Sequence, residues 1–205
     1  MLLHRVVRVR GADDSGRRVA LLCPRDALRS HAWHACFPQL VETLELYASD
    51  GTETRTPAGA EAAWFLDVFA INQHVPPWRD DPPMSHGQVL KPAIVNCGRT
   101  VLVLHPWENP KSFTRVWCLF EIMSTLEEGA TLDVALSGAE RKRFVETLTS
   151  EFEDIMKNIS SIDARKATAT VLEDRDAIFR LIEDGTFGGF DALNDAVMSV
   201  ACEMW

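Results

Sequence analysis

Apolar residues along this chain alternate between two rhythms: short, nearly continuous runs and longer stretches at helical spacing. Residues 64–71 (Trp64-Phe65-Leu66-Asp67-Val68-Phe69-Ala70-Ile71) form the strongest run and read as a strand buried on both faces. Residues 100–104 and 132–136 read the same way, and 27–33 as a shorter strand weakened by Arg29. Between these runs, residues 37–47, 89–97, 113–126 and 139–148 place apolar side chains three and four apart, which predicts helices. Pro92 must then sit near the first turn of its helix or kink it. Ser137 is a candidate N-cap for the helix that follows it. Further helices are expected at 152–159, at 162–183 with internal breaks, and at 190–204.

Residues 3–10 and 18–22 read as a hairpin around a Gly/Asp/Ser turn. Residues 49–59 read as a loop, and so do 72–86, which hold Pro76, Pro77, Pro82 and Pro83. A loop of that length inside a compact domain is usually functional or disordered. Strands alternating with helices predict an α/β fold, with a mainly parallel sheet covered by helices on both faces. The expected organisation is an extension at 1–26, an α/β domain at 27–150, and C-terminal helices at 151–205 packed on that domain.

One helix carries a candidate for chemistry. Phe113, Val116, Trp117, Phe120 and Met123 share one side, Leu119, Ile122 and Leu126 another. Between them runs a narrow stripe of Thr114, Cys118, Glu121 and Thr125. A helix apolar on most of its circumference is largely buried, so this stripe must face solvent, a polar partner or a cleft. Glu is rarely buried without a partner, and the helix follows a strand whose carboxyl end is where ligands collect in open α/β sheets. Glu121 is therefore the first candidate; a solvent-facing strip with an incidental Glu is the competing reading.

Composition narrows the field. The chain has 205 residues, 46% of them hydrophobic, enough for a full core. No apolar run approaches the ~20 residues that span a bilayer, and the first residues lack a long apolar segment, so a cytoplasmic protein is expected. The five cysteines include no CxxC pair and suit reduced thiols. The net charge of −9 lies in the second half, with 10 basic and 19 acidic side chains after residue 100, which argues against a nucleic-acid surface. Neither GxGxxG nor GxxxxGK occurs, which disfavours a Rossmann dehydrogenase or a P-loop hydrolase.

Several motifs occur in a telling order. Ser30-His31-Ala32-Trp33 ends a first strand and Phe65-Leu66-Asp67-Val68-Phe69 lies in a second. Leu90, Ala93 and Ile94 follow in a helix, then Thr100-Val101-Leu102-Val103-Leu104, then Trp117-Cys118-Leu119-Phe120-Glu121-Ile122. Over about residues 27–150 this resembles a Toll/interleukin-1 receptor (TIR)-type domain, of the divergent SHxW…DVFAxNQH…TRxWCLxE group. Residues 64–73 also partly match the TIR-like fungal heterokaryon-incompatibility domains.

The resemblance implies a flavodoxin-like, five-stranded sheet of order 2-1-3-4-5. It also implies cleavage of the nicotinamide–ribose bond of NAD, with Glu121 as catalytic carboxylate. Ser30, His31, Trp33, Asp67, Asn72, Gln73 and Trp117 would line the substrate site. NAD would be a substrate, and neither metal nor cofactor is implied. A carboxylate near the ribose can stabilise the positive charge that builds as an N-glycosidic bond breaks. Other members of the family act only by association, so self-association or recruitment of other TIR-like domains stays open as the alternative function.

Other constellations favour plainer readings. His31-x-x-His34-x-Cys36 matches no established zinc spacing. Cys118 reads as a small buried hydrophobe rather than a nucleophile. Asp67 reads as a satisfied carboxylate bracing the first two strands. Trp33, Trp64, Trp78, Trp107 and Trp117 could stack on a base, but tryptophans that close a core explain most such sets.

Overall fold

The computed structural model describes residues 28–30, 37–49, 64–66, 86–148, 150, 153, 155, 157 and 160–202. In chain order these form β1 (Leu28–Ser30), α1 (Phe37–Ser49), β2 (Phe65–Leu66), α2 (His86–Cys97), β3 (Arg99–Val103) and α3 (Val116–Glu127). They continue with β4 (Thr131–Ala135), α4 (Gly138–Leu148), α5 (Leu172–Asp184) and α6 (Gly189–Cys202). The expected hairpin at 3–10 and 18–22 and residues 72–85 of the expected Pro-rich loop lie outside the described residues, while His86 already belongs to α2.

The sheet is parallel, with four described strands in the order β2-β1-β3-β4. The fold is thus α/β; a fifth strand is not among the described residues. Right-handed crossovers then decide the layers. The chain moves one way from β1 to β2 and the other way from β2 through β3 to β4, so α1 must lie opposite α2 and α3.

The strand alternation shows this division. Val101 and Val103 join Leu40, Leu44 and Tyr47 of α1 in one core. Leu102 and Leu104 face the other way, toward Leu90 of α2 and Leu119, Phe120 and Ile122 of α3. In β2, Leu66 packs with the first set while Phe65 meets Ala93 and Ile94 of α2. Over Trp64–Leu66, the described part of the expected strand 64–71, the two-sided burial is met by two different helices; residues 67–71 lie outside the described residues.

The C-terminal helices form an outer layer on α3. Ile178 and Ile182 of α5 and Leu193, Val197 and Val200 of α6 share one core with Phe120 and Leu102. No helix among the described residues is long and apolar enough to cross a membrane.

Two boundaries differ from the expected ones. Phe113 and Thr114 belong to a 3₁₀ turn, Lys111–Thr114, and Arg115 is extended before α3 begins. Arg115 bridges to Thr168, with Val116 N–H donating to Thr168 O at 3.1 Å and Thr168 N–H to Thr114 O at 2.9 Å. The same bridge locates the break expected within 162–183. A 3₁₀ turn, Ala164–Lys166, is capped by Asp163, and Ala167 is extended. Thr168, Thr170 and Val171 are β-branched and disfavour helix, so α5 starts only at Leu172. Pro92 lies inside α2 rather than in its first turn.

At the end of α3 the chain reverses through a Schellman motif. Ala130 N–H donates to Thr125 O at 3.0 Å and Gly129 N–H to Leu126 O at 3.2 Å, with Gly129 at φ 65°. A side chain at Gly129 would meet open space, so the cost of Gly129→Ala is the left-handed backbone alone, ~1–2 kcal/mol. A thermal melt of that variant should fall by roughly 2–8 °C, since each kcal/mol shifts a domain of this size by ~2–4 °C.

Candidate functional site

Helix α3 is the central element of the molecule. Its burial extends around the whole circumference, from Val116 and Cys118 through Ile122 to Thr125. Three neighbours produce this: the sheet beneath it, α2 beside it, and α5 with α6 over it. Glu121 is only 4% exposed in this setting, so the solvent-facing reading of its stripe is wrong. Thr114 leaves the stripe, because it lies in the 3₁₀ turn and is exposed. Cys118, Glu121 and Thr125 remain on it, all buried.

The direction of the stripe follows from Thr125. Its Oγ1 lies 2.7 Å from Thr100 Oγ1 and also donates to Glu121 O at 2.6 Å. The stripe therefore faces β3 near its start. Helix α3 connects parallel strands and must run against them, so Glu121, one turn earlier, lies ~5 Å nearer the strands' carboxyl ends. That is close to two residues of strand rise, ~6.6 Å, which brings Glu121 to the level of Leu102. Ser30, the last residue of β1, is in register with Leu102.

This level adjoins the switch point of the sheet. From β1 the chain goes outward to β2, and from β3 outward to β4. The crevice between the carboxyl ends of β1 and β3 is where ligands gather in such sheets. Ser30 and Glu121 are thus brought to one level, near the carboxyl ends of β1 and β3. His31, Trp33, Asp67, Asn72 and Gln73 lie outside the described residues, as do His34 and Cys36. Trp117, one turn before Glu121, donates its indole N–H to Asp174 Oδ2 on α5 at 3.3 Å and meets Phe120 edge to face. It ties α3 to the outer layer.

A second buried carboxylate was not anticipated. Glu140, 3% exposed, lies in the first turn of α4. Ser137 Oγ accepts from Glu140 N–H at 3.2 Å, which is half of a capping box. The Glu140 side chain does not complete the box. It accepts from Trp107 N–H at 2.8 Å and from Arg143 at 2.8 Å, and Arg143 also pairs with Glu108. His105 Nδ1 lies 3.6 Å from Glu140 Oε1, beyond hydrogen-bond range. The cluster joins the loop after β3 to α4. The motif Ser137-x-x-Glu140 was its only sequence signal.

At the opposite end of the sheet, Tyr47 of α1 donates to Asp133 of β4, and Arg99 of β3 pairs with the same carboxylate. Burial first, then the bond to Asp133, pushes the Tyr47 phenol up to about 12. Its unfolded value is about 10. A phenol whose pKa is higher in the folded state contributes its full stabilisation below pH ~10. That contribution, on the order of 2 kcal/mol, is lost as pH rises through about 12. Tyr47 is the only tyrosine in the chain, so phenolate absorbance reports it alone. The titration midpoint should fall by about two units on adding denaturant.

A cavity of about 450 Å³ opens between the loop after β3 and the segment before α5, with Trp107, Phe113, Ile162 and Ala201 among its walls. Glu121 is not part of its lining. Among the described residues no group of His, Cys, Asp or Glu is placed to hold a metal ion. The chain matches no protein-family model, no curated protein and no solved structure.

Proposed function

We propose that the chain is a TIR-like domain with a flavodoxin-like sheet, and that it cleaves the nicotinamide–ribose bond of NAD with Glu121 as the catalytic carboxylate. The observation that carries this reading is a carboxylate buried to 96% on the central helix, at the level where β1 ends beside β3. The strand order β2-β1-β3-β4 supports the fold assignment, because it matches the first four positions of the order 2-1-3-4-5.

In this reading the substrate ribose enters the crevice at the carboxyl ends of β1 and β3. As the glycosidic bond lengthens, electrons leave with nicotinamide and positive charge grows on the ribose, until a single water oxygen bonds to the anomeric carbon and gives up its proton. Glu121 stabilises that charge electrostatically, in a site where the surrounding apolar residues exclude water and strengthen the interaction. Ser30, at the end of β1, would lie beside the ribose.

Nicotinamide release from NAD, followed by chromatography on concentrated wild type beside Glu121→Gln, tests this. Loss of release only in the variant supports the reading. No release from either, under crowding that drives assembly, transfers the function to a self-associating signalling module without catalysis. Equal release from both removes Glu121 from the chemistry.

A further inference from the structure

We propose that the cavity beside the loop after β3 is a second binding site, for a small organic cation that joins an aromatic ring to an ammonium group. It does not rest on the assignment of Glu121, which lies outside its lining. The volume, about 450 Å³, lies within the ~300–1,000 Å³ typical of small-ligand pockets. Its position also suits a ligand site, since the loop that forms one wall leaves the carboxyl end of β3.

The lining sets the chemical class. Trp107 and Phe113 are buried core side chains, and Ile162 and Ala201 complete an apolar interior suited to a ring. The charged groups of the lining are Glu108, Asp163 and Lys166; Arg143 and Arg165, outside the lining, pair with the two carboxylates. Glu108 spends Oε1 on Arg143, and among the described residues Oε2 has no hydrogen-bond partner. Asp163 uses Oδ1 on Arg165 N–H at 3.1 Å and lies 3.9 Å from Arg165 Nη1, while among the described residues Oδ2 has only Lys166 Nζ at 3.6 Å. Lys166 is 78% exposed and long enough to swing away.

Each carboxylate thus keeps one oxygen available to a ligand N–H, at the edge of an apolar interior. An ammonium there gains charge-assisted hydrogen bonds. A ligand carboxylate or phosphate would instead set its oxygens against these two acceptor oxygens. That electrostatic bias also separates this cavity from any site that must hold a pyrophosphate.

The test uses the full chain and three probes of one shape: 2-phenylethylammonium, 2-phenylethanol and phenylacetate. Isothermal calorimetry should show the ammonium binding about tenfold or more tightly than the alcohol, and phenylacetate not at all. Glu108→Gln and Asp163→Asn each keep an acceptor oxygen, including the cap on Arg165 N–H, and should weaken the ammonium about tenfold. Thr114→Trp, at an exposed position on the cavity wall, should abolish binding by filling the space. A thermal melt of each variant confirms that it folds. Equal affinity for the three probes, a preference for phenylacetate, or no binding by any of them would overturn the proposal. So would unchanged ammonium affinity in Thr114→Trp, or in both carboxylate variants.

Discussion

Glu121→Gln is expected to reduce nicotinamide release by about two orders of magnitude or more, the usual cost of removing a preorganised electrostatic group from a transition state. Its melting temperature should stay within a few degrees of wild type. Glutamine keeps the volume that the packed surroundings of α3 require and one acceptor oxygen, so no cavity is left behind. What it removes is the negative charge. Measuring turnover and melting on the same preparation separates the two roles of this residue. A large fall in melting temperature with little loss of turnover per folded molecule would make Glu121 a structural brace. Lost turnover at unchanged stability would make it the reacting carboxylate. KM adds a further discrimination, because a charge that acts only in the transition state lowers kcat and leaves KM nearly unchanged.

The route to Glu121 was legible because its helix is apolar on nearly every side. Burial of the helix followed from periodicity, which left the Glu121 stripe open between solvent and the interior until the structure buried it; the strand–helix alternation located the carboxyl ends of the strands. The division of the sheet into two cores was legible in the same way, since Val101 and Val103 alternate with Leu102 and Leu104. What escaped depends on contacts between distant residues. Arg115 lies inside a helical pattern and leaves it only because Thr168, far along the chain, offers a β-bridge. Asp174 claims the Trp117 indole from a helix that periodicity alone could not place over α3. The Tyr47–Asp133–Arg99 cluster needs the register that sets Val101 opposite Asp133. Glu140 was the nearest miss. Ser137 reads as a cap, but the local motif predicts a glutamate turned back on its own helix, whereas this one reaches the loop after β3.

That reach makes Glu140→Ala the largest expected loss of stability, about 2–4 kcal/mol. Two costs contribute. The Trp107 backbone N–H loses its acceptor in a buried setting, worth ~1–3 kcal/mol. Removing the side chain also leaves a small void beneath α4 and takes a negative charge from the first turn of a helix, where the macrodipole favours one by ~0.3–1 kcal/mol. Arg143 adds little, because it is half exposed and keeps Glu108. Glu140→Gln should cost less, about 1–2 kcal/mol, since the amide oxygen can still accept from Trp107 N–H although the charge is gone. At ~2–4 °C per kcal/mol, thermal melts should separate wild type, Gln and Ala in that order. Arg143→Gln should lie close to wild type. If instead Arg143→Gln fell as far as Glu140→Ala, the ion pair rather than the Trp107 N–H would be what holds the loop after β3 against α4.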